Sequence, residues 1–222
     1  TNVPDYCLDE VADQAAAYSM MLIRSIPFYN AKVHAGSYRW QDWNVPIRRC
    51  RNAYYGFLGF GRIAQNLARK MAAFGFQLIA SDPYVSQEEL FRISTVVCVL
   101  CPYMESTYHI VNEEMLRLMQ PDSYLIGVTR GKCVDNKALY QALRERWIAG
   151  AALDDPEEEP MKMEHWSPEL NPLFQLDNCF FTPHTSYISQ EALNECRHIA
   201  AENVKAVLLG QQPANLVRPS KR

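Results

Sequence analysis

This sequence predicts an α/β fold built on a doubly wound parallel sheet, and three observations carry that expectation. The run "STVVCVLCP", residues 94–102, is apolar and β-branched without alternation, as in a strand buried on both faces. Runs of this kind alternate along the chain with segments whose apolar residues recur at helical spacing. A glycine-rich turn, "GFGRIA" at 59–64, joins one such strand to one such helix.

The first element is a helix over 9–24, "DEVADQAAAYSMMLIR", with Val11, Ala15, Tyr18 and Leu22 on one face and Pro27 soon after it. Residues 28–50 carry Trp40, Trp43 and Pro46 without a clean period and read as an irregular arm. "YYGFLGF" from Tyr54 is a short strand, and "RIAQNLARKMAAFG" is a helix with Ile63, Leu67, Met71 and Phe74 on one stripe and Gly75 to end it. "FQLIASD" is the next strand, joined by a short link to "STVVCVLCP". The helices "NEEMLRLM" and "NKALYQALRER" flank the strand "SYLIGV", and "WIAGAALD" and "NCFFTPH" supply two more strands. A last helix runs over about 189–209, capped by Ser189 and stopped by Gly210. Ligands of such sheets sit beyond the carboxyl ends of the strands. The residues there are Gly59 to Ala64, Asp82, Pro102, Arg130, Asp154 and His184.

Composition narrows the function classes. With 222 residues, 48% hydrophobic and 21% charged, the chain has the make-up of a globular protein able to bury a substantial core. A net charge of -3 with 22 scattered Lys and Arg argues against a nucleic-acid footprint or a polybasic membrane patch. No apolar run is long enough to span a bilayer, and the acidic, polar start is unlike a signal peptide, so a soluble cytoplasmic protein is expected. Seven cysteines lie without a framework of close pairs. Cys98 and Cys101 form a C-x-x-C inside a strand, where positions three apart face opposite ways, and they read as buried thiols rather than a redox or metal pair. No metal site is expected.

Three strand ends carry chemistry. In "GFGRIA", Gly59 permits a tight turn, Gly61 lets a pyrophosphate approach the backbone, and Ala64 lets the helix pack closely on the strand. Asp82 ends the next strand 18 residues past Ala64, where a carboxylate can accept both ribose hydroxyls of an adenosine, so a Rossmann-type dinucleotide site is expected. In "GVTRGKCVD", the Arg130 guanidinium could clamp a carboxylate with two parallel hydrogen bonds, although a surface arginine near a helix start would look the same. "DDPEEEP", from Asp154 to Pro160, is a run of acids, mostly a solvated loop. One of these carboxylates beside His184 of "FFTPHTSYIS" would hold the imidazole in one tautomer and favour its protonated form. Histidine, carboxylate and arginine together suit oxidation of a hydroxyl beside a carboxylate, with hydride leaving for nicotinamide.

Taken together, "PIRRCRNAYYGFLGFGRIAQNLARKMAAFGFQLIASDPY", "LIGVTRGKCVDNKAL", "IAGAALDDPEEEP" and "FFTPHTSYIS" resemble, in order, the four signature blocks of the NAD-dependent D-2-hydroxyacid dehydrogenases. The resemblance spans nearly the whole chain and implies NAD as cofactor, a small 2-hydroxy or 2-oxo acid as substrate, and a homodimer. It makes His184 the acid/base, Arg130 the substrate clamp and Glu159, 29 residues after Arg130, the histidine's partner. It also implies cofactor contacts at Gly59, Gly61, Arg62, Ile63, Asp82, Pro102, Thr107, Val128, Thr129, Asp154 and His184. The "PHTSYIS" and "MKMEHWSPELNPLFQLDN" stretches look closest to the branch holding the C-terminal-binding-protein co-repressors, which has an aromatic residue where Tyr187 stands. That branch admits a second reading, a nucleotide-sensing regulatory module. The formate-oxidising branch has an amide in place of Glu159 and fits poorly.

Two departures from the family accompany the resemblance. Gly127-Val128-Thr129 replaces the usual Asn-Thr-Ala before the arginine, leaving backbone rather than side-chain contacts to a cofactor. The link from Asp82 to Ser94 is short by roughly a dozen residues, about a strand and its turn. The resemblance divides the chain into an NAD-binding domain over 1–187, with a lead-in helix and dimerisation arm over about 8–50, and a C-terminal helix over 188–222. That helix is expected to return to a substrate-binding domain mostly outside this sequence, on the order of a hundred residues.

Overall fold

The computed structural model describes residues 1–42, 46–81, 85–157 and 163–217. Among the described residues, six parallel strands form one sheet: β1 Tyr54–Leu58, β2 Gln77–Ala80, β3 Val96–Val99, β4 Tyr124–Gly127, β5 Gly150–Leu153 and β6 Cys179–Phe181. Their order is β2-β1-β3-β4-β5-β6. All four residues of β3 are buried, as its unbroken apolar run requires of a central strand.

The side chains of the strands alternate between two cores. Tyr55, Phe57, Cys98, Ile126 and Ala152 meet Val11, Ala15, Tyr18 and Leu22 of helix α1 (Leu8–Ile23) and Leu67 and Met71 of α3 (Arg62–Ala73). On the other face Leu58, Val97, Val99, Leu125 and Leu153 meet Leu90 and Phe91 of α4 (Gln87–Ile93), Leu116 of α5 (Glu113–Leu118), and Leu139 and Leu143 of α6 (Asn136–Arg144). The sheet is therefore doubly wound. Cys98 and Cys101 fall in different cores, and all seven cysteines are free thiols.

Three segments differ from the sequence reading. Part of the expected irregular arm is helix α2, Ile26–His34, because Pro27 lies in its first turn, where a missing N–H goes unused. The link before β3 holds α4, whose cap Ser86 accepts from the Glu89 amide at 3.2 Å. Phe74 leaves the apolar stripe of α3: the helix ends at Ala73 and the ring is 51% exposed. Through α4 the chain passes from β2 across β1 to β3, so β2 is an edge strand with Gln77 and Leu78 exposed.

The sheet order reverses at β1, whose neighbours β2 and β3 lie on either side of it. Their diverging crossovers open a crevice beyond the carboxyl ends of β1 and β3. The last helix, α7 (Gln190–Leu208), starts at Ser189, which accepts from the Ala192 amide at 2.8 Å, and leaves Val204, Val207 and Leu208 exposed.

Candidate active site

Five strands deliver residues to one cleft of about 580 Å³ at their carboxyl ends. Its walls hold Ile63 after β1, Pro102 and Tyr103 after β3, and Val128, Thr129 and Arg130 after β4. Asp154 after β5 and His184 and Tyr187 after β6 complete the far side, and Tyr6 and Cys7 close it ahead of α1. Burial pushes the Tyr6 phenol up to about 12 and raises the Cys7 thiol, so both are neutral at pH 7. A larger cavity, about 1090 Å³, opens at the opposite end between α2 and the starts of β4 to β6, and none of the expected site residues lines it.

The turn after β1 leaves room for a ligand. Gly59 has φ +93°, and a Cβ there would meet the Cys101 amide nitrogen at 2.6 Å, so only glycine brings β1 and β3 this close. Gly61 is the N-cap of α3, and a Cβ built on it meets nothing within 4 Å. Open space therefore faces the free amides of a helix start, a setting that favours an anion. Arg62 is the first residue of that helix and is paired with Asp5.

His184 stands on a strained loop with φ 54°, an unusual backbone for a residue with a side chain. Asp154, 2% exposed, holds that loop in place. Its carboxylate accepts the amides of Thr185 and Ser186, each at 2.9 Å, and the hydroxyl of Thr182. The His184 amide donates to the Asp154 carbonyl at 2.8 Å. The Thr182 oxygen is 2.6 Å from the Tyr18 hydroxyl on α1, so the loop is tied through Asp154 and Thr182 to the lead-in helix. Hydrogen bonds to a charged group contribute about 1.5–3 kcal/mol each, enough to hold one residue in the left-handed region.

Beside it, Arg130 stands exposed at the rim, and the backbone behind it is crowded. A Cβ at Gly131 would meet the Pro156 carbonyl carbon at 2.2 Å, so the loops after β4 and β5 touch main chain to main chain. The second loop is anchored by Glu157, whose Oε1 lies 2.7 Å from Nε2 of His109. The His109 ring stacks on Tyr108 at 3.9 Å, and its Nδ1 is 3.7 Å from Asp135 at the start of α6. Thr107 is buried, and its hydroxyl donates to the Pro102 carbonyl and accepts the Met104 amide, both at 2.7 Å. It shapes the turn that presents Pro102. Among the expected residues, Asp82 and Glu159 lie outside the described ones.

Comparison with known proteins gives this arrangement a family. A profile described as "D-isomer specific 2-hydroxyacid dehydrogenase, NAD binding domain" matches residues 16–186. The chain belongs to that family. The glyoxylate reductase of Korarchaeum cryptofilum is 34% identical over 233 residues, covering 98% of this chain and 68% of the relative. A D-lactate dehydrogenase structure from Treponema pallidum superposes with a TM-score of 0.88 at 28% identity, over 98% of this chain and 71% of that one. The NAD-complexed D-isomer specific 2-hydroxyacid dehydrogenase of Lactobacillus delbrueckii ssp. bulgaricus gives 0.87 at 25% identity, again with 98% and 71% covered.

The cofactor of this dehydrogenase family is NAD, and the chain fits it. The Gly59–Gly61 turn and the start of α3 would receive a pyrophosphate, with Ile63, Pro102, Val128 and Thr129 on the walls beyond. No helix among the described residues is long and apolar enough to cross a membrane. Among the described residues, no group of three or more His, Cys, Asp or Glu side chains could hold a metal ion.

Sequence reasoning missed two members of the site. Tyr18 belongs to the apolar stripe of α1 and reads as core, but its hydroxyl reaches the Thr182 side chain. Asp155 reads as one more acid in a solvated run, yet only 5% of its side chain is exposed and its Oδ2 is 3.5 Å from Nδ1 of His184. A second aspartate directly at a strand end was the available signal.

Proposed function

We infer that the chain is the nucleotide-binding portion of an oxidoreductase that moves hydride between NAD(H) and a D-2-hydroxy acid or its 2-oxo partner. The observation that carries this reading is that Arg130 and His184 line one cleft together with Ile63, which follows the Gly59–Gly61 turn by two residues. NAD, when bound, supplies or takes the hydride at the carbon beside the carboxylate. Arg130 holds the substrate carboxylate through its two-pronged guanidinium. His184 gives its proton to the keto oxygen during reduction and takes it back during oxidation. Glu159 favours the imidazolium, Asp154 fixes the loop that carries it, and Asp82 accepts the ribose hydroxyls. Glyoxylate and D-lactate, named in the relatives, are the first substrates to try.

The reading extends to a homodimer formed through the arm over about 8–50 and to α7 as the return into a substrate-binding domain. The exposed Val204, Val207 and Leu208 give that helix an apolar face to bury. A second reading, a co-repressor-like module that senses NAD(H) and binds protein partners, rests on the likeness of "PHTSYIS" to that branch. The deciding experiment is a panel of 2-oxo acids offered with NADH to the full-length protein. Turnover of a small 2-oxo acid supports the enzyme, and NADH binding without turnover of any acid supports the regulator.

A further inference from the structure

The loops after β3, β4 and β5 meet at His109. Its backbone is left-handed, with φ 49°, and its amide donates at 3.0 Å to the carbonyl of Lys132, two residues past Arg130. The pairing continues from there: the Val111 amide donates to the Cys133 carbonyl at 3.0 Å and the Asp135 amide to the Val111 carbonyl at 2.9 Å. The main chain of His109 is thus joined to the loop that presents Arg130. Its side chain is joined to the next loop, with Nε2 2.7 Å from Glu157 Oε1. A carboxylate only accepts, so Nε2 carries the proton of this bond.

A left-handed turn needs only backbone, and an asparagine or glycine would serve it. The imidazole is instead held on three sides. Glu157 takes the Nε2 proton, Asp135 Oδ2 stands 3.7 Å from Nδ1, and the Tyr108 ring covers one face at a centroid distance of 3.9 Å. The Tyr108 hydroxyl reaches the same Glu157 oxygen at 3.4 Å. Only 25% of the His109 side chain and 24% of the Glu157 side chain are exposed, so the bond between them is partly shielded from water. The Glu157 main chain abuts Gly131, where an added Cβ would run into its amide nitrogen, so a shift of Glu157 is felt directly beside Arg130.

We propose that His109 is a positioning residue for the chemical step: through Glu157 it holds the loop after β5 against the loop that carries Arg130, and so fixes the spacing between the substrate clamp and the acid/base side of the cleft. This rests on the dehydrogenase reading. His109 is not among the residues that line the cleft, so it acts through others. Asp154, at the near end of the loop after β5, anchors the loop of His184, and Glu159 follows Glu157 by two residues in the chain. When the side-chain tether is cut, the His109 main chain still holds Lys132, and Arg130 keeps its place. The loop after β5 is the part released. Proton transfer at the keto oxygen therefore suffers, and binding of the substrate carboxylate does not.

The test compares His109→Asn, His109→Gln and Glu157→Ala in the full-length protein with NADH and glyoxylate. Asparagine accepts the left-handed backbone but is too short to reach Glu157, whereas glutamine carries an amide N–H about as far out as Nε2. His109→Asn and Glu157→Ala should each lower kcat about tenfold, the effect of a small misplacement of reacting groups, and should change the KM for glyoxylate and the affinity for NADH less than about twofold. His109→Gln should recover most of the lost kcat, and the double variant His109→Asn/Glu157→Ala should be no slower than either single one. The proposal is overturned if His109→Asn keeps full kcat and only its urea midpoint falls, or if the two losses multiply in the double variant. Should His109→Asn fail to fold, Glu157→Ala and Glu157→Gln decide, since both leave the left-handed residue intact: alanine should slow turnover, and glutamine, which still accepts from Nε2, should not. If glyoxylate and every other 2-oxo acid are refused, the dehydrogenase reading fails. Amide hydrogen exchange in the loop after β5 then decides the tether, with faster exchange in His109→Asn supporting it and unchanged exchange removing it.

Discussion

Tyr18 and Thr182 share a 2.6 Å hydrogen bond although they are 164 residues apart, one on the lead-in helix and one on the loop before His184. Thr182 passes its own proton to Asp154, so Tyr18 is the donor in this pair. Tyr18→Phe should therefore lower stability by about 1 kcal/mol, the usual worth of one neutral hydrogen bond, and leave Thr182 still bonded to Asp154. Asp154→Asn should be worse, by at least about 2 kcal/mol, because an amide nitrogen would face the Thr185 or Ser186 N–H. Urea unfolding of the two variants orders these losses. Equal stabilities would mean that the network does not hold the loop.

His184→Ala should lower turnover by at least about a hundredfold with NADH affinity nearly unchanged, the usual scale of general acid/base loss. Arg130→Lys should instead raise KM and lower kcat/KM, since one ammonium cannot reproduce a two-point clamp. Steady-state kinetics with the best 2-oxo acid separates the two. Near-normal turnover without the His184 imidazole would defeat the mechanism.

Gly131→Ala introduces a single methyl against the Pro156 main chain, which neither rotates nor yields cheaply. The loop after β5, carrying Asp155 and the tether from Glu157 to His109, should be displaced from Arg130. Activity should drop at least about tenfold while NADH binding changes little, because the Gly59–Gly61 turn proposed to receive the cofactor is on another strand end. A fall in NADH affinity equal to the fall in activity would point to general unfolding instead.

Asp82 should make NAD the preferred cofactor, since a carboxylate that accepts the ribose hydroxyls repels a 2′-phosphate at close range. Fluorescence titration with NADH and NADPH measures this directly. NADPH binding as tightly as NADH would remove Asp82 from the site.

The strands and the glycine turn were legible in the sequence because a buried parallel strand shows in its apolar run and a tight phosphate turn admits few residues. The expected positions Ile63, Pro102, Val128, Thr129, Arg130, Asp154 and His184 do line one cleft. Helix α2 was not legible, because a proline read as a stop sits where a helix tolerates it. Helix α4, Gln87–Ile93, is too short for a period, although Ser86 with Glu89 offered a capping signal. The hydrogen bonds that Asp154 and Thr107 make were hidden for another reason. Their partners are backbone amides, carbonyls and hydroxyls that pattern reading does not resolve.

Three buried tyrosines give the fold an alkaline limit. Burial raises the phenols of Tyr18, Tyr55 and Tyr124 above the ordinary value of 10.0. In the unfolded chain they ionise near 10.0, so above that pH the folded state holds protons that the unfolded state has lost. A raised folded pKa contributes stability that is fully present below the unfolded value and is lost as pH climbs towards the folded one. Unfolding free energies from urea curves should accordingly be insensitive to these groups below about pH 10 and fall steadily above it. Tyr55→Phe should flatten that fall, since its ring is the most deeply buried of the three. Its partner Ser19 keeps the bond it donates to the Ala15 carbonyl at 2.6 Å, so the variant should fold. An unchanged alkaline slope in Tyr55→Phe would show that this phenol is not the group whose ionisation limits the fold.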